Sequence, residues 1–525
     1  MRVIEMKSYS YFMLFGCLPK LRIVTFAIFL LLLTGSYSCS VKPVDKPNIL
    51  FIAVDDLRTD IGSYGNRDIV TPNIDRLSDM GLVFNNAYCQ QAVCNPSRAS
   101  LLTGLRPDII KVWDLKTHFR TAVPDAITLP EYFKQNGYTV EGMGKIFHGG
   151  LSDPQSWSSP KKNPQGHSLY SDTTMKRLAI RKEKLLKEGI PESVIGGKYR
   201  GPGVMSIDEP DNKRFDGALT DLAIDAMEEI TQPFFLAVGY HRPHLPFVAP
   251  KKYFDMYDPD RIPLATNPYL PKGSPEIAMN TMYELRAYED FADTPTPFEG
   301  SLTLEQRKRL KHGYYASVSF VDAQVGRLLA ALENSGLNEN TIIVLWGDHG
   351  WKLGEHNSWG KMTNYDDDTH APLIIYVPWM KRKGIKTDAL VEFVDIYPTL
   401  CELAGLQVSE KLEGCSFVPL INNPGRKWKS AVFSQYMRKH KEETFMGYSL
   451  RTERYRYIEW INMESNQIVA KELYDHNSDP EENKNIAEET ENKELVIELS
   501  AQLKNGWKSA LPENKTDRRI KSMIK

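Results

Sequence analysis

Two polar pairs draw attention because each closes an apolar run. Asp55-Asp56 follows NILFIAV, and Asp348-His349 follows TIIVLWG. Adjacent carboxylates repel, so keeping both ionised at the end of a buried strand calls for a cation. Oxygen ligands of this kind suit Ca2+ or Mg2+. A lone Asp-Asp is more often a cap or a turn, but two such clusters at two strand ends favour the metal. Lys145 and His148 lie in GMGKIFHGG, where neighbouring glycines let a lysine approach an anion closely. His241 and His244 flank a proline in YHRPHLPF, as either satisfied core histidines or a general acid. Lys361, in HNSWGKMTN, reads by itself as a solvated lysine. In VCNPSRASLLTG, residues 93–104, Cys94 precedes Arg98 at the start of an apolar helical run. By residue type alone, Cys94 is a buried thiol, half of a disulfide or a reactive group.

The elements that must hold these groups are legible in the pattern. KPNILFIAVDD, PFFLAVGYHRPH, NTIIVLWGDHG and APLIIYVP are continuous apolar runs, the signature of strands buried on both faces. TPNIDRLSDMG has a helical period and a glycine stop. TLPEYFKQNGYTVEGMGK reads as helix, stop and strand, and residues 302–336 as one long helix or two. Alternating strands and helices define an α/β fold with a doubly wound sheet, whose ligands bind at the carboxyl ends of the strands. The polar clusters fall at those ends. Residues 152–213 form a long Pro-, Gly-, Ser- and Lys-rich excursion near the mouth of the site. After about residue 425, short alternating strands and a closing helix indicate a small antiparallel appendage.

The chain has 525 residues, 42% hydrophobic and 25% charged, with a formal net charge of -2. No basic excess exists to neutralise nucleic-acid phosphates. Lys20 and Arg22 precede IVTFAIFLLLLTG, which falls short of the roughly 20 residues a membrane span needs. Residues 1–39 therefore read as a secretory signal, with Met6 or Met13 as alternative starts. Cys39, in GSYSCS, is a candidate lipid attachment point, with plain cleavage near Ser38 as the alternative. The expected location is exported, in the periplasm or as an outer-membrane lipoprotein of a bacterium, with membrane contact only through that lipid. Few cysteines remain, so disulfides do not hold the fold; Cys401 and Cys415 either pair or stay as buried thiols.

The pattern Cys-x-Pro-Ser-Arg-x-x-x-Leu-Thr-Gly at 94–104 resembles the signature of the type I sulfatases, and the similarity runs from about Lys46 into the appendage. LPEYFKQNGYTVEGMGKIFHGG, AVGYHRPHLPF and GDHGWKLGEHNSWGKMTN look like the iduronate-2-sulfatase branch. The resemblance implies an alkaline-phosphatase-like α/β sandwich with a large mixed, mostly parallel sheet. The catalytic domain would span 46–424, and a smaller α+β subdomain with an antiparallel sheet 425–525. It implies that a maturation enzyme oxidises Cys94 to formylglycine, reading Pro96 and Arg98 among its recognition residues. Asp55, Asp56, Asp348 and His349 would bind Ca2+ (or Mg2+) together with residue 94. His349 stands where many sulfatases have Asn, and two residues rather than one separate Lys145 from His148; the iduronate branch shares both features.

The implied chemistry is attack on sulfur by one hydroxyl of the hydrated aldehyde, with the metal lowering its pKa. Arg98, Lys145 and Lys361 would neutralise the sulfate oxygens, and His244 would protonate the departing sugar oxygen. His148 would help the second hydroxyl lose its proton and expel sulfate. The branch implies a 2-O-sulfated uronic acid of heparin, heparan sulfate or a related glycan as substrate. VWDLKTHFR resembles a loop near the pocket of that branch, which makes Asp114, His118 and Arg120 candidate sugar contacts rather than turn caps. A sulfatase for another sulfated polysaccharide, a phosphodiesterase or phosphonate hydrolase on the same fold, and a binding module without activity remain alternatives.

Overall fold

The computed structural model describes residues 46–512. The signal segment, Cys39 and the chain beyond residue 512 lie outside the described residues. Seven strands pair into one sheet: β1 (Asn48–Val54), β2 (Leu82–Tyr88), β3 (Thr139–Gly144), β4 (Phe234–Tyr240), β5 (Thr341–Gly347), β6 (Leu373–Tyr376) and β7 (Ile385–Glu392). Their order is β7-β2-β6-β5-β1-β4-β3. β1 pairs in parallel with β4 and β5, β3 with β4, and β7 with β2. Only β6 runs the other way, antiparallel to both β2 and β5. The sheet is thus mixed but mostly parallel.

Every residue of β1, β4 and β5 is buried. Each such Leu, Ile, Val or Phe contributes about 1.5–3 kcal/mol of burial energy, so sliding a strand to draw its terminal carboxylate inward is strongly disfavoured. Register therefore fixes the site. Val54 lies opposite Tyr240 on one side and Gly347 on the other, so Asp55, His241 and Asp348 emerge together at one sheet edge. Lys145 joins them where β3 ends. Gly144 turns the chain there at φ 67°, and a β-carbon would collide with the Gly239 carbonyl oxygen.

Helices cover both faces. α1 (Pro72–Met80), α5 (Phe215–Glu229) and α6 (Leu304–Asn334) pack together, while α2 (Cys94–Thr103), α3 (Leu129–Gln135) and α7 (Ile396–Leu403) form a separate group. α6 is one continuous helix of 31 residues, opened by a capping box between Thr303 and Gln306. Its buried stripe of Leu310, Tyr314, Val318, Val321, Val325, Leu328 and Leu332 keeps the spacing of three or four that one helix face requires. The 152–213 excursion carries α4 (Asp172–Lys187) and a strand, Val204–Ile207, that pairs with Phe247–Pro250 just beyond β4.

β8 (Ala431–His440), β9 (Glu443–Thr452), β10 (Tyr455–Asn462) and β11 (Ile468–Asp475) form an antiparallel meander. α8 (Lys493–Asn505) packs on it through Val496 and Leu499 against Leu450, Tyr457 and Leu473. This sheet is pinned to the main one. Ser434 Oγ donates to the Cys89 carbonyl at 2.6 Å, and Gln435 N–H to that of Gln90 at 2.8 Å. Arg106 clasps the buried Glu392 with two 2.8 Å bonds, and Lys429 joins Glu392 to Asp395. Cys401 keeps a free thiol.

Candidate active site

Cys94 opens α2, a helix in which all ten residues are buried. Val93, at its N-cap, offers no side-chain cap, so the positive end of the helix is left for whatever stands beside Cys94. The motif's remaining residues have structural work. Leu102 is in the core, and Gly104 ends the helix at φ 66°, where a β-carbon would lie 2.6 Å from Leu412.

Arg98 is wholly buried and points beneath the site, not into it. Its Nε donates to Asp348 Oδ2 at 2.8 Å, Nη2 to Asp55 Oδ1 at 3.2 Å, and Nη1 to the carbonyls of Lys145 and Ile146. Its donors go to two carboxylates and two carbonyls, and Arg98 does not line the cavity that holds Cys94. Removing one partner of a buried ion pair costs about 3–5 kcal/mol. We expect Arg98→Met to lose stability of that order in urea unfolding, partly restored by millimolar calcium. Unchanged stability would mean that the carboxylates do not depend on this guanidinium.

Above Arg98, Asp55, Asp56, Cys94 and His349 each bring one ligand atom within 4.8 Å of the others. Asp56 adopts φ 58°, a left-handed conformation unfavourable for a residue with a side chain. It is fixed by its N–H donating to Asp348 Oδ1 at 3.0 Å and by Tyr314 Oη donating to its carbonyl at 2.8 Å. Asp56 Oδ2 is buried and has no hydrogen-bond partner among the described residues. His349 Nδ1 lies 2.9 Å from the Gly350 carbonyl. A proton on Nδ1 therefore leaves the Nε2 lone pair facing Cys94 Sγ at 3.3 Å, Asp56 Oδ1 at 3.4 Å and Asp348 Oδ1 at 3.7 Å. An orphaned carboxylate oxygen, two further carboxylates and an oriented imidazole fit a divalent cation.

Two ammonium groups close over this cluster. Lys145 Nζ binds Asp55 Oδ2. Lys361 Nζ lies 2.6 Å from Asp56 Oδ1, 3.6 Å from Cys94 Sγ and 5.1 Å from the centre of the Trp351 ring. Burial works against both charges, yet Asp55 holds Lys145 up and Asp56 holds Lys361 well up. Burial and Asp55 push the Cys94 thiol up despite the two lysines, so at neutral pH it is a thiol and not a thiolate.

Cys94, Lys145, His148, His244 and Lys361 line one cavity of about 480 Å³. His148 is pushed down to about 4 by burial and then by Lys145, and its buried Nδ1 has no partner. It is a neutral base at pH 7. His244 behaves oppositely. Burial opposes its charge, but Asp56 and Glu284 raise it to about 10. Its Nδ1 contacts the Leu245 carbonyl at 2.6 Å, and its Nε2 faces Glu284 Oε1 at 3.0 Å. Acid and base, separated in pKa, thus face one space.

Asp114, His118 and Arg120 do not line this cavity, though Asp114 borders a neighbouring one that shares Leu115 with it. The Asp114 carboxylate accepts from the N–H groups of Lys116 and Thr117 and from Thr117 Oγ1, a local turn. His118 Nδ1 accepts the Arg120 N–H, and Arg120 is spent on Asp153, Glu131 and two carbonyls. None of the three lines the cavity; Leu115 does. Glu284, Arg200 and Arg242 do line it and were not picked out from sequence. A second cavity of about 570 Å³ lies between Arg106–Ile109 and the C-terminal sheet, lined by Phe433, Tyr448 and Trp507. It brings no comparable catalytic cluster together. A further acidic cluster, Asp366, His476 and Glu482, already surrounds the Arg456 guanidinium, which takes a cation's place.

The Sulfatase family model matches residues 47–406, and a model described as N-sulphoglucosamine sulphohydrolase, C-terminal, matches residues 354–509. The chain belongs to the sulfatase family and is a sulfuric ester hydrolase on an alkaline-phosphatase-like fold. Within that family it is a type I sulfatase similar to the iduronate-2-sulfatase branch: iduronate 2-sulfatase of Homo sapiens is 34% identical, over 88% of this chain and 94% of that protein. Two solved structures share the fold with a TM-score of 0.67 and 23% identity. One was solved in complex with its substrate D-glucosamine-2-N,6-O-disulfate and aligns with 88% of this chain and 99% of its own. The other, a phosphonate monoester hydrolase of Agrobacterium radiobacter, aligns with 87% and 95%.

Proposed function

We propose that this sulfatase removes the 2-O-sulfate of a uronic acid, iduronate or its unsaturated counterpart, from heparin, heparan sulfate or a related glycosaminoglycan. The observation that carries the reading is one cavity holding Cys94, two lysines, a neutral histidine and a protonated histidine above a carboxylate cluster. The human relative, an iduronate 2-sulfatase, supports the choice of sugar.

In this reading Asp55, Asp56, Asp348, His349 and residue 94 hold calcium, which when bound supplies Lewis acidity beside the nucleophile. Cys94 is oxidised by a maturation enzyme to formylglycine, whose hydrate supplies two oxygens on one carbon, one to attack sulfur and one to release sulfate. The Sγ atom marks where those oxygens stand. Lys145 and Lys361 hold the sulfate, their positive charge fixed beforehand by Asp55 and Asp56. His244 delivers a proton to the leaving sugar oxygen, and its proton is retained by Asp56 and Glu284. His148, neutral, accepts a proton on the opposite half of the cycle. Export of the chain, with or without a lipid on Cys39, belongs to the same proposal.

The test is a panel of sulfated saccharides with matured protein in calcium. We expect the highest kcat/KM on 2-O-sulfated uronate disaccharides. Release from another sulfated polysaccharide, with none from the uronate, would overturn the sugar assignment. Comparable turnover of an aryl phosphate diester would overturn the ester class. Mass spectrometry of the Cys94 peptide should show a loss of about 18 Da, the conversion of thiol to aldehyde.

A further inference from the structure

The cavity carries more positive charge than one sulfate ester needs. Lys145 and Lys361 are matched by Asp55 and Asp56. Arg200 and Arg242 line the same cavity, and neither guanidinium has a carboxylate oxygen within 4 Å among the described residues; the buried Asp216 accepts the Arg242 backbone N–H, at 3.1 Å. Glu284, the acid on this wall, is engaged by His244 at 3.0 Å and Lys361 at 3.5 Å.

The two guanidiniums reach one wall from separate parts of the chain. Arg200 lies in the 152–213 excursion just before the Val204–Ile207 strand, with Nη1 on Tyr288 Oη at 3.3 Å and Nε on the Gly196 carbonyl at 3.3 Å. Arg242 follows β4, is 7% exposed, and uses Nη1 on the His244 carbonyl. Both line the same cavity of about 480 Å³. An unpaired, mostly buried guanidinium is costly unless a ligand supplies the counter-charge, and its planar fork matches a carboxylate or sulfate through paired bonds.

We propose that Arg200 and Arg242 form a second anion subsite, so that the preferred substrate is a sugar carrying another negative group besides the scissile sulfate. This rests on the sulfate-ester reading of the cavity but not on the sugar being a uronate. The second anion is either the ring carboxylate of a uronate or a further sulfate.

Two substrate pairs separate these sources: a 2-O-sulfated uronate with its carboxyl-reduced form, and 6-O-sulfated glucosamine bearing N-sulfate or N-acetyl. In the unaltered enzyme we expect the charged member of one pair to lead by about tenfold or more in kcat/KM, mainly through KM. The pair that shows it identifies the group. Arg200→Gln, whose residue lies on the excursion away from the sheet, should bring that ratio to within a few-fold. Arg242→Lys, which keeps the charge but loses the fork, should reduce it in part. A ratio near one in both pairs, or a ratio unchanged by Arg200→Gln, would overturn the subsite. Inhibition of 4-nitrophenyl sulfate turnover by free uronate and by free N-sulfoglucosamine gives an independent reading if neither saccharide pair is cleaved. Inhibition by either that weakens with its uncharged counterpart and in Arg200→Gln upholds the subsite even when the proposed substrate fails; inhibition by neither removes it.

Discussion

Cys94→Ser should abolish multiple turnover, lowering kcat by about four orders of magnitude or more, while circular dichroism and thermal melting stay near those of the parent. Residue 94 sits 3.3 Å from His349 Nε2 and 3.6 Å from Lys361 Nζ, so nothing else on the cavity wall occupies its position. A serine hydroxyl has nearly the thiol's shape, so α2 keeps its packing. It supplies one oxygen where the proposed chemistry needs two: it can attack sulfur but cannot expel sulfate afterwards. A burst of at most one equivalent per enzyme is therefore expected, followed by arrest. Sustained turnover by the serine variant would end the aldehyde mechanism.

His244→Gln should divide substrates by their leaving groups. General acid catalysis contributes about 10²–10⁴-fold when the departing oxygen is a poor leaving group. A sugar alkoxide is such a group, whereas 4-nitrophenolate leaves without help. We expect kcat on the saccharide to fall by about 100-fold or more, and kcat on 4-nitrophenyl sulfate to fall far less. The imidazole suits the task because Asp56 and Glu284 keep it protonated at neutral pH, with Nδ1 anchored on the Leu245 carbonyl. Equal losses on both substrates would reassign His244 from proton donor to binding residue.

The parts of this site that show in the sequence are those the sheet imposes. β1 and β5 are buried on both faces, so their apolar runs are unbroken and their first polar residues mark the edge where ligands gather. Asp55, Asp56, Asp348 and His349 are visible for that reason. The resemblance gives Arg98 to the sulfate oxygens; it lies one helical turn after Cys94 on the same face, and spacing does not tell whether a long side chain reaches into a cavity or beneath it. Asp114, His118 and Arg120 show why a polar loop is hard to read: Asp114 and His118 make local turn bonds, while Arg120 pairs with Asp153 and Glu131. Glu284 sits in the irregular stretch between Phe254 and Leu304, where no period announces a direction, and Arg200 lies within an excursion whose return path only the pairing of Val204–Ile207 with Phe247–Pro250 reveals.

The burial of α2 has a bearing on how the protein comes to be active. Cys94 is 1% exposed, and no residue of its helix reaches the surface. An oxidising enzyme that must grip several residues around that thiol has no access to them once the sheet has closed over the helix. On the proposed formylglycine reading, conversion would therefore take place on the nascent or unfolded polypeptide, and a molecule that folds first would stay unconverted. The specific activity of a preparation would thus record the outcome of a contest between two rates, catalysed oxidation and chain collapse, rather than the quality of the folded product.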